Sequence, residues 1–114
     1  LTIRPNGDIS LQNALAHVIM KEHPRAVDKD FIKKNTVGFE AYRKGIMESY
    51  SPEQVIDRTG LAPGLVRQVA RVFAEATIRG RERGRGGVLT FWGIGFNQSI
   101  HGHTAPSTTS TCTC

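Results

Sequence analysis

The stretch Val88-Leu-Thr-Phe-Trp-Gly-Ile-Gly-Phe-Asn-Gln-Ser-Ile-His-Gly102 narrows the folds open to this chain more than any other. It begins as an apolar, β-branched and aromatic run, Val88 to Trp92, which reads as a buried strand. The run breaks into Gly93-Ile-Gly95 and then into Asn97, Gln98, Ser99 and His101. An α/β sheet delivers polar groups to a ligand in this way, at the carboxyl edge of its strands. Glycine permits close backbone approach, and amides donate and accept hydrogen bonds without adding charge. The pattern suits a nucleotide-like ligand. For so short a match, an ordinary strand-to-loop turn is the commoner meaning.

Upstream of that strand the chain reads as a series of helices. Leu1 to Arg4 resembles the end of another strand, and Pro5-Asn-Gly-Asp8 is turn chemistry. Asp8 suits the N-cap of a helix to about Lys21, with Leu11, Leu15, Val18 and Ile19 on one face. Pro24 ends it. Asp28 is expected to cap a short helix through Phe31 and Ile32, and Phe39, Tyr42 and Ile46 suggest the inward face of another. Ser51-Pro-Glu-Gln54 has the form of a capping box with Pro at the first helical position. Gly60 closes that short helix. Ala62-Pro63 opens the next, whose core face is expected from Leu65, Val66, Val69, Val72 and Phe73. His17 and His23 read as helix-surface residues. Strand, several helices, strand is the order of one long crossover in an α/β sheet. Two strand edges cannot bury five amphipathic helices, so the chain reads as a piece of a larger α/β protein.

Composition narrows the function classes. The chain has 114 residues, 39% of them hydrophobic, and a net charge of +5, which suits a globular segment. Much of the charge sits in Arg79-Gly-Arg-Glu-Arg-Gly-Arg85, expected to be a solvated connector. Without interleaved aromatics such a run is more often a surface loop than a nucleic-acid site. A basic nucleic-acid-binding module is therefore the alternative from another class, and no nucleic-acid partner is expected. No apolar stretch approaches the ~18 residues of a membrane span. The first residues carry no charged-then-apolar leader, but the chain opens without Met, so the compartment is left open.

Three patches, in order, resemble the molybdopterin oxidoreductases, the large catalytic subunits that bind molybdenum through two pterin guanine dinucleotides. Pro5-Asn-Gly-Asp-Ile-Ser-Leu-Gln-Asn-Ala-Leu-Ala-His-Val-Ile19 is similar to that family's P-G-T-D-x-A-x-x-N-A-x-x-x-x-I. Asp30-Phe-Ile32, Gly38-Phe-Glu-Ala-Tyr42, Tyr50-Ser-Pro-Glu53 and Thr59-Gly-Leu61 match the spacing of its linking helices. Phe91-Trp-Gly-Ile-Gly-Phe-Asn-Gln98 with His101-Gly102 is similar to its W-x-M-G-x-N-Q-H-x-x-G loop. Within the family the Phe-Asn-Gln form is most similar to the periplasmic-type nitrate reductases. Ser99 stands where His is common, and Ile94 replaces the usual Met.

The resemblance covers residues 3–102 and implies an internal segment of a Rossmann-like parallel-sheet catalytic domain. It implies a bis-molybdopterin guanine dinucleotide cofactor with molybdenum, and a 4Fe-4S cluster held elsewhere in the parent protein. The expected substrate is nitrate, reduced to nitrite, with formate as the alternative, and an electron-transfer subunit as partner. The compartment it implies is the periplasm or cytoplasm of a bacterium. No residue here matches the molybdenum ligand or a catalytic position. Asn6, Gly7 and Asp8 match a cofactor-contacting turn, where helix-start amides suit a pyrophosphate or polar ring edge and Asp8 accepts from a ribose or guanine donor. Ile94, Gly95, Asn97, Gln98 and His101 match the second contacting loop, with Gln98 its leading side chain.

Residues 103–114 are rich in Thr and Ser and read as a disordered tail. One choice of codons for Thr104 to Cys114, shifted by two bases, gives Gly-Thr-Ile-Asn-Asn-Leu-Asn-Leu-His-Leu, the continuation typical of the family. His101, His103, Cys112 and Cys114 do not have the spacing of a zinc finger, so the cysteines carry no functional weight.

Overall fold

A computed structural model describes residues 1–84 and 88–91. Five α-helices follow one another: α1 (Asp8–Glu22), α2 (Lys29–Asn35), α3 (Phe39–Ser49), α4 (Ile56–Thr59) and α5 (Pro63–Glu82), with a 3-10 turn at Pro24–Ala26 after α1. Helix takes 68% of the described residues and no strand occurs among them. This overturns the expected α/β fold, a Rossmann-like parallel sheet crossed by helices. Val88–Phe91 makes no ladder, and Leu89 and Phe91 lie open to solvent at 75% and 85% exposure. Backbone N–H and C=O groups need partners, and a strand without neighbours has none. Leu1–Arg4 is not a strand either: the Arg4 N–H bonds the Thr59 carbonyl at 3.0 Å, at the end of a helix.

The core lies where α5 packs on α1, with α4 and the turn before it closing one end. Ala14, Val55, Leu61 and Val66 form its centre, and Ile3, Leu11, Leu15 and Tyr50 pack around them. The buried stripe of α5 is Val66, Ala70 and Ala74, four residues apart. Leu65 and Val72, expected inward, are exposed, and Val69 and Phe73 are half-buried. Small side chains let helix backbones approach closely, so the alanines take the deepest positions and the larger residues flank them. On α1 the centre is likewise Ala14 and Val18 rather than Leu11, Leu15 and Ile19. Arg67 of α5 ties this unit at its rim, reaching Glu53 at 2.7 Å and Glu22 at 3.2 Å.

His17 is buried rather than on the surface. Its Nδ1 lies 3.2 Å from the Ile46 carbonyl, against α3, and the Tyr42 hydroxyl donates to Asn13 Oδ1 at 3.5 Å. Asp28 caps α2 as expected, its carboxylate accepting from the Phe31 N–H at 2.8 Å. α5 runs on to Glu82, so Arg79 and Arg81 are helical rather than in a connector loop. Arg81 is tied down, 3.7 Å from Asp28 and bonded to the Arg25 carbonyl at 3.3 Å.

Candidate functional site

The turn that enters α1 is built by four residues, each chosen by its backbone. The Gly7 N–H bonds the Arg4 carbonyl at 3.0 Å, closing a four-residue turn with Pro5 at its second position. Asn6, at the third, has φ +63°. That combination marks a type II turn, where Pro presets φ and Asn tolerates the left-handed region. Asn6 thus occupies the position that the P-G-T-D pattern gives to Gly.

Gly7 is buried, and a Cβ there would lie 2.8 Å from the Arg58 carbonyl oxygen and 2.9 Å from that of Arg4. Only glycine fits without backbone movement. Gly7, not Asp8, is the N-cap of α1: its carbonyl accepts from Leu11 N–H at 2.9 Å, and no side chain caps the end. Asp8 stands in the first turn, half-buried. By helix geometry the amides of Asp8, Ile9 and Ser10 have no carbonyl partner within α1. With an exposed Asn6 side chain and a carboxylate beside them, the turn offers several donors and one anionic acceptor on one small surface.

In the loop beneath it, sequence reasoning read Gly60 as a helix end but missed Thr59. Thr59 is fully buried. Its hydroxyl donates to the Val55 carbonyl at 2.8 Å and accepts from the Leu61 N–H at 3.2 Å. Gly60, at φ +74°, ends α4 in the left-handed conformation. The helix-ending glycine marked the corner in the sequence; nothing local marked the Thr59 hydroxyl as its brace.

Asn6, Gly7 and Asp8 are therefore brought together. Ile94, Gly95, Asn97, Gln98 and His101 lie outside the described residues, as do Trp92 and the tail 103–114. Among the described residues no three His, Cys, Asp or Glu side chains are grouped to hold a metal ion. No described helix is long and apolar enough to cross a membrane. An open groove of about 650 Å³ lies elsewhere, between the 3-10 turn, α2 and α3, and shares no residue with the turn.

Comparison with known proteins finds relatives in sequence and in fold. The chain is 38% identical over 102 residues to formate dehydrogenase H of Escherichia coli (strain K12), covering 90% of this chain and 13% of that protein. It is 36% identical over 110 residues to a nitrate reductase of Symbiobacterium thermophilum, with the same two coverages, 90% and 13%. Acetylene hydratase from Pelobacter acetylenicus has a similar fold, with a TM-score of 0.69 at 24% identity over 96% of this chain and 13% of that one. No family model matches. The chain spans 13% of the length of these two sequence relatives.

Proposed function

This chain belongs to the molybdopterin oxidoreductase family, and on that premise we propose that it supplies part of the cradle for one pterin guanine dinucleotide in a molybdenum-dependent catalytic subunit. The observation that carries this reading is the Pro5–Asp8 turn, which resembles the family's P-G-T-D pattern at Pro5 and Asp8 and presents its polar groups together. The donor set fits such a cofactor. The first-turn amides of α1 and the Asn6 amide suit phosphate or ring oxygens, and the Asp8 carboxylate suits the N–H edge of guanine or a ribose hydroxyl. Ile94, Gly95, Asn97, Gln98 and His101 form the second contacting loop in this reading, with Gln98 reaching the cofactor through its amide.

Bound there, the cofactor supplies two-electron redox chemistry at molybdenum, with a 4Fe-4S cluster held by another part of the subunit. In this reading the chain binds and orients the cofactor. The substrate is a small anion. Nitrate is our first reading, from the Phe-Asn-Gln form of the 91–98 loop. Formate is the second, supported by the 38% identity to a formate dehydrogenase.

The test uses the full-length subunit that carries this segment. Removing an amide that pairs with a buried cofactor group costs about 1–3 kcal/mol, so Gln98→Ala should lower molybdenum content while Ser99→Ala leaves it near wild type. Equal content and turnover in wild type and Gln98→Ala would end the cradle reading for that loop. Viologen-coupled assays with nitrate and with formate decide the substrate.

A further inference from the structure

We propose that Arg4 and Thr59 are positioning residues for the Asn6–Gly7–Asp8 turn: they fasten it to the end of α4 and so set where its polar groups meet the cofactor. The inference rests on the reading of that turn as a cofactor contact.

α1 fixes the chain from Asp8 onward, and residues 4–7 need another anchor. They find it in residues 57–60, through four separate attachments. The Arg4 N–H donates to the Thr59 carbonyl at 3.0 Å. The Arg4 guanidinium donates through Nη1 to the Asp57 carbonyl at 2.7 Å, one of the last-turn carbonyls that a helix leaves without a partner of its own. Gly7 sits against the Arg58 carbonyl and the Thr59 Cα, where no side chain fits. The arginine stem crosses Gly60 closely enough that a Cβ there would lie 3.2 Å from Arg4 Cγ.

Thr59 holds the corner to which all of this is fastened. Its hydroxyl spans the Val55 carbonyl and the Leu61 N–H, so the left-handed Gly60 bend is braced from inside. Its own carbonyl then faces the Arg4 N–H. The order of dependence runs from the Thr59 hydroxyl to the bend, from the bend to Arg4, and from Arg4 to the turn. A guanidinium that crosses 53 residues of sequence to reach one carbonyl loses rotamer freedom, and the return is a turn held at both ends.

The experiment compares Arg4→Met, Thr59→Val, Thr59→Ser and Asn6→Ala in the full-length subunit. Two quantities are read: molybdenum and guanine nucleotide per polypeptide, and the thermal midpoint of the cofactor-free protein. Arg4→Met keeps the stem over Gly60 and removes only the guanidinium. Losing one charge-assisted hydrogen bond is expected to reduce cofactor content roughly threefold to tenfold. Because Arg4 is exposed, the cofactor-free midpoint should stay near wild type. Thr59→Val should reduce content at least as much, and Thr59→Ser, which keeps the hydroxyl, should restore it. Wild-type content in Arg4→Met alongside reduced content in Asn6→Ala would overturn the positioning role and leave the site standing. A midpoint loss in Arg4→Met that matches its content loss would make the contact merely structural and also overturn it. Wild-type content in both Asn6→Ala and Arg4→Met would remove the site reading, and this inference with it.

Discussion

The α1–α4–α5 unit and the α2–α3 arm stand side by side in one short chain and are held by different forces. In the first, Ala14, Val18, Val55, Val66 and Ala70 are fully buried, and Gly7 fits where no Cβ can. In the second, α2 buries no residue and α3 buries only Ile46. The arm relies instead on contacts a few residues apart. The Asp28 cap starts α2, and its end is closed by Asn35 Nδ2 bonding the Phe31 carbonyl at 3.0 Å and Thr36 Oγ1 bonding that of Ile32 at 2.7 Å. Glu40–Arg43 and Lys44–Glu48 pair along α3 at 3.7 and 4.0 Å, exposed contacts worth a few tenths of a kcal/mol. His17 to Ile46, Tyr42 to Asn13 and Gln54 to the Glu48 carbonyl join arm and core by side-chain hydrogen bonds, and Arg81 of α5 lies 3.7 Å from the Asp28 carboxylate. The difference places the candidate cofactor turn on the packed unit, where its geometry is set by burial, and leaves the arm free of that demand.

Gly7→Ala should separate the two regions most sharply. The added Cβ meets backbone oxygens at 2.8 and 2.9 Å, and overpacking of this kind costs about 1–3 kcal/mol or more. Denaturant unfolding should show the loss, with the amide signals of α2 and α3 changed less than those of α1 and α4. A loss below about 0.5 kcal/mol, the scale of a neutral surface change, would mean that the seat yields and the turn is not built on α4.

Truncating one apolar side chain in each region sharpens the same contrast. Val66→Ala opens a cavity at a fully buried position and should cost about 2 kcal/mol. Phe31→Ala, at 41% exposure on the arm, should cost well under half of that despite removing a larger group. Equal losses in the two variants would break the comparison.

Asp28→Ala removes the α2 cap and should cost about 1 kcal/mol. Hydrogen exchange should quicken in α2 while protection at Val66 and Ala70 is unchanged. Loss of protection in both regions would show that the arm and core open together.

The smallest effect is electrostatic and belongs to the rim of the core. The Glu53 carboxyl is held below its ordinary value of 4.5 chiefly by its hydrogen bond to Arg67. A lowered carboxylate pKa contributes stability above the unfolded value, lost as pH falls through the folded one. The stability difference between wild type and Arg67→Met should therefore be full above about pH 5 and shrink below pH 4.5. Both partners of the pair are substantially exposed, so the difference stays small and weakens in salt. A difference that grows on acidification would reverse the assignment.

Much of the local structure is legible in single residues. Asp28 and the Pro5–Asn6–Gly7 turn act as their side chains predict. Ser51 and Gln54 exchange the reciprocal bonds expected of them, Ser51 N–H to Gln54 Oε1 at 2.9 Å and Gln54 N–H to Ser51 Oγ at 3.4 Å, but they close a turn rather than cap a helix: α4 starts only at Ile56, after Val55, with no side-chain cap. Gly60 ends α4 where expected. The family too was carried by motif order in the chain alone. These features need partners only three or four residues away, or none. The rest depended on distant neighbours. Val88–Phe91 has the composition of a strand, but a strand exists only through pairing, and no described residue pairs with it. Leu65 and Val72 have the right periodicity for a core face, yet close approach of α5 to α1 favoured Ala70 and Ala74. His17 was drawn inside by a carbonyl 29 residues away, and Thr59 and Arg4 were joined across more than 50. The Pro5–Gly7 turn, the Asp28 cap and the Gly60 helix end were determined by the sequence itself because their energies are local; burial, and the seat beneath the candidate cofactor turn, were decided only when separate helices met.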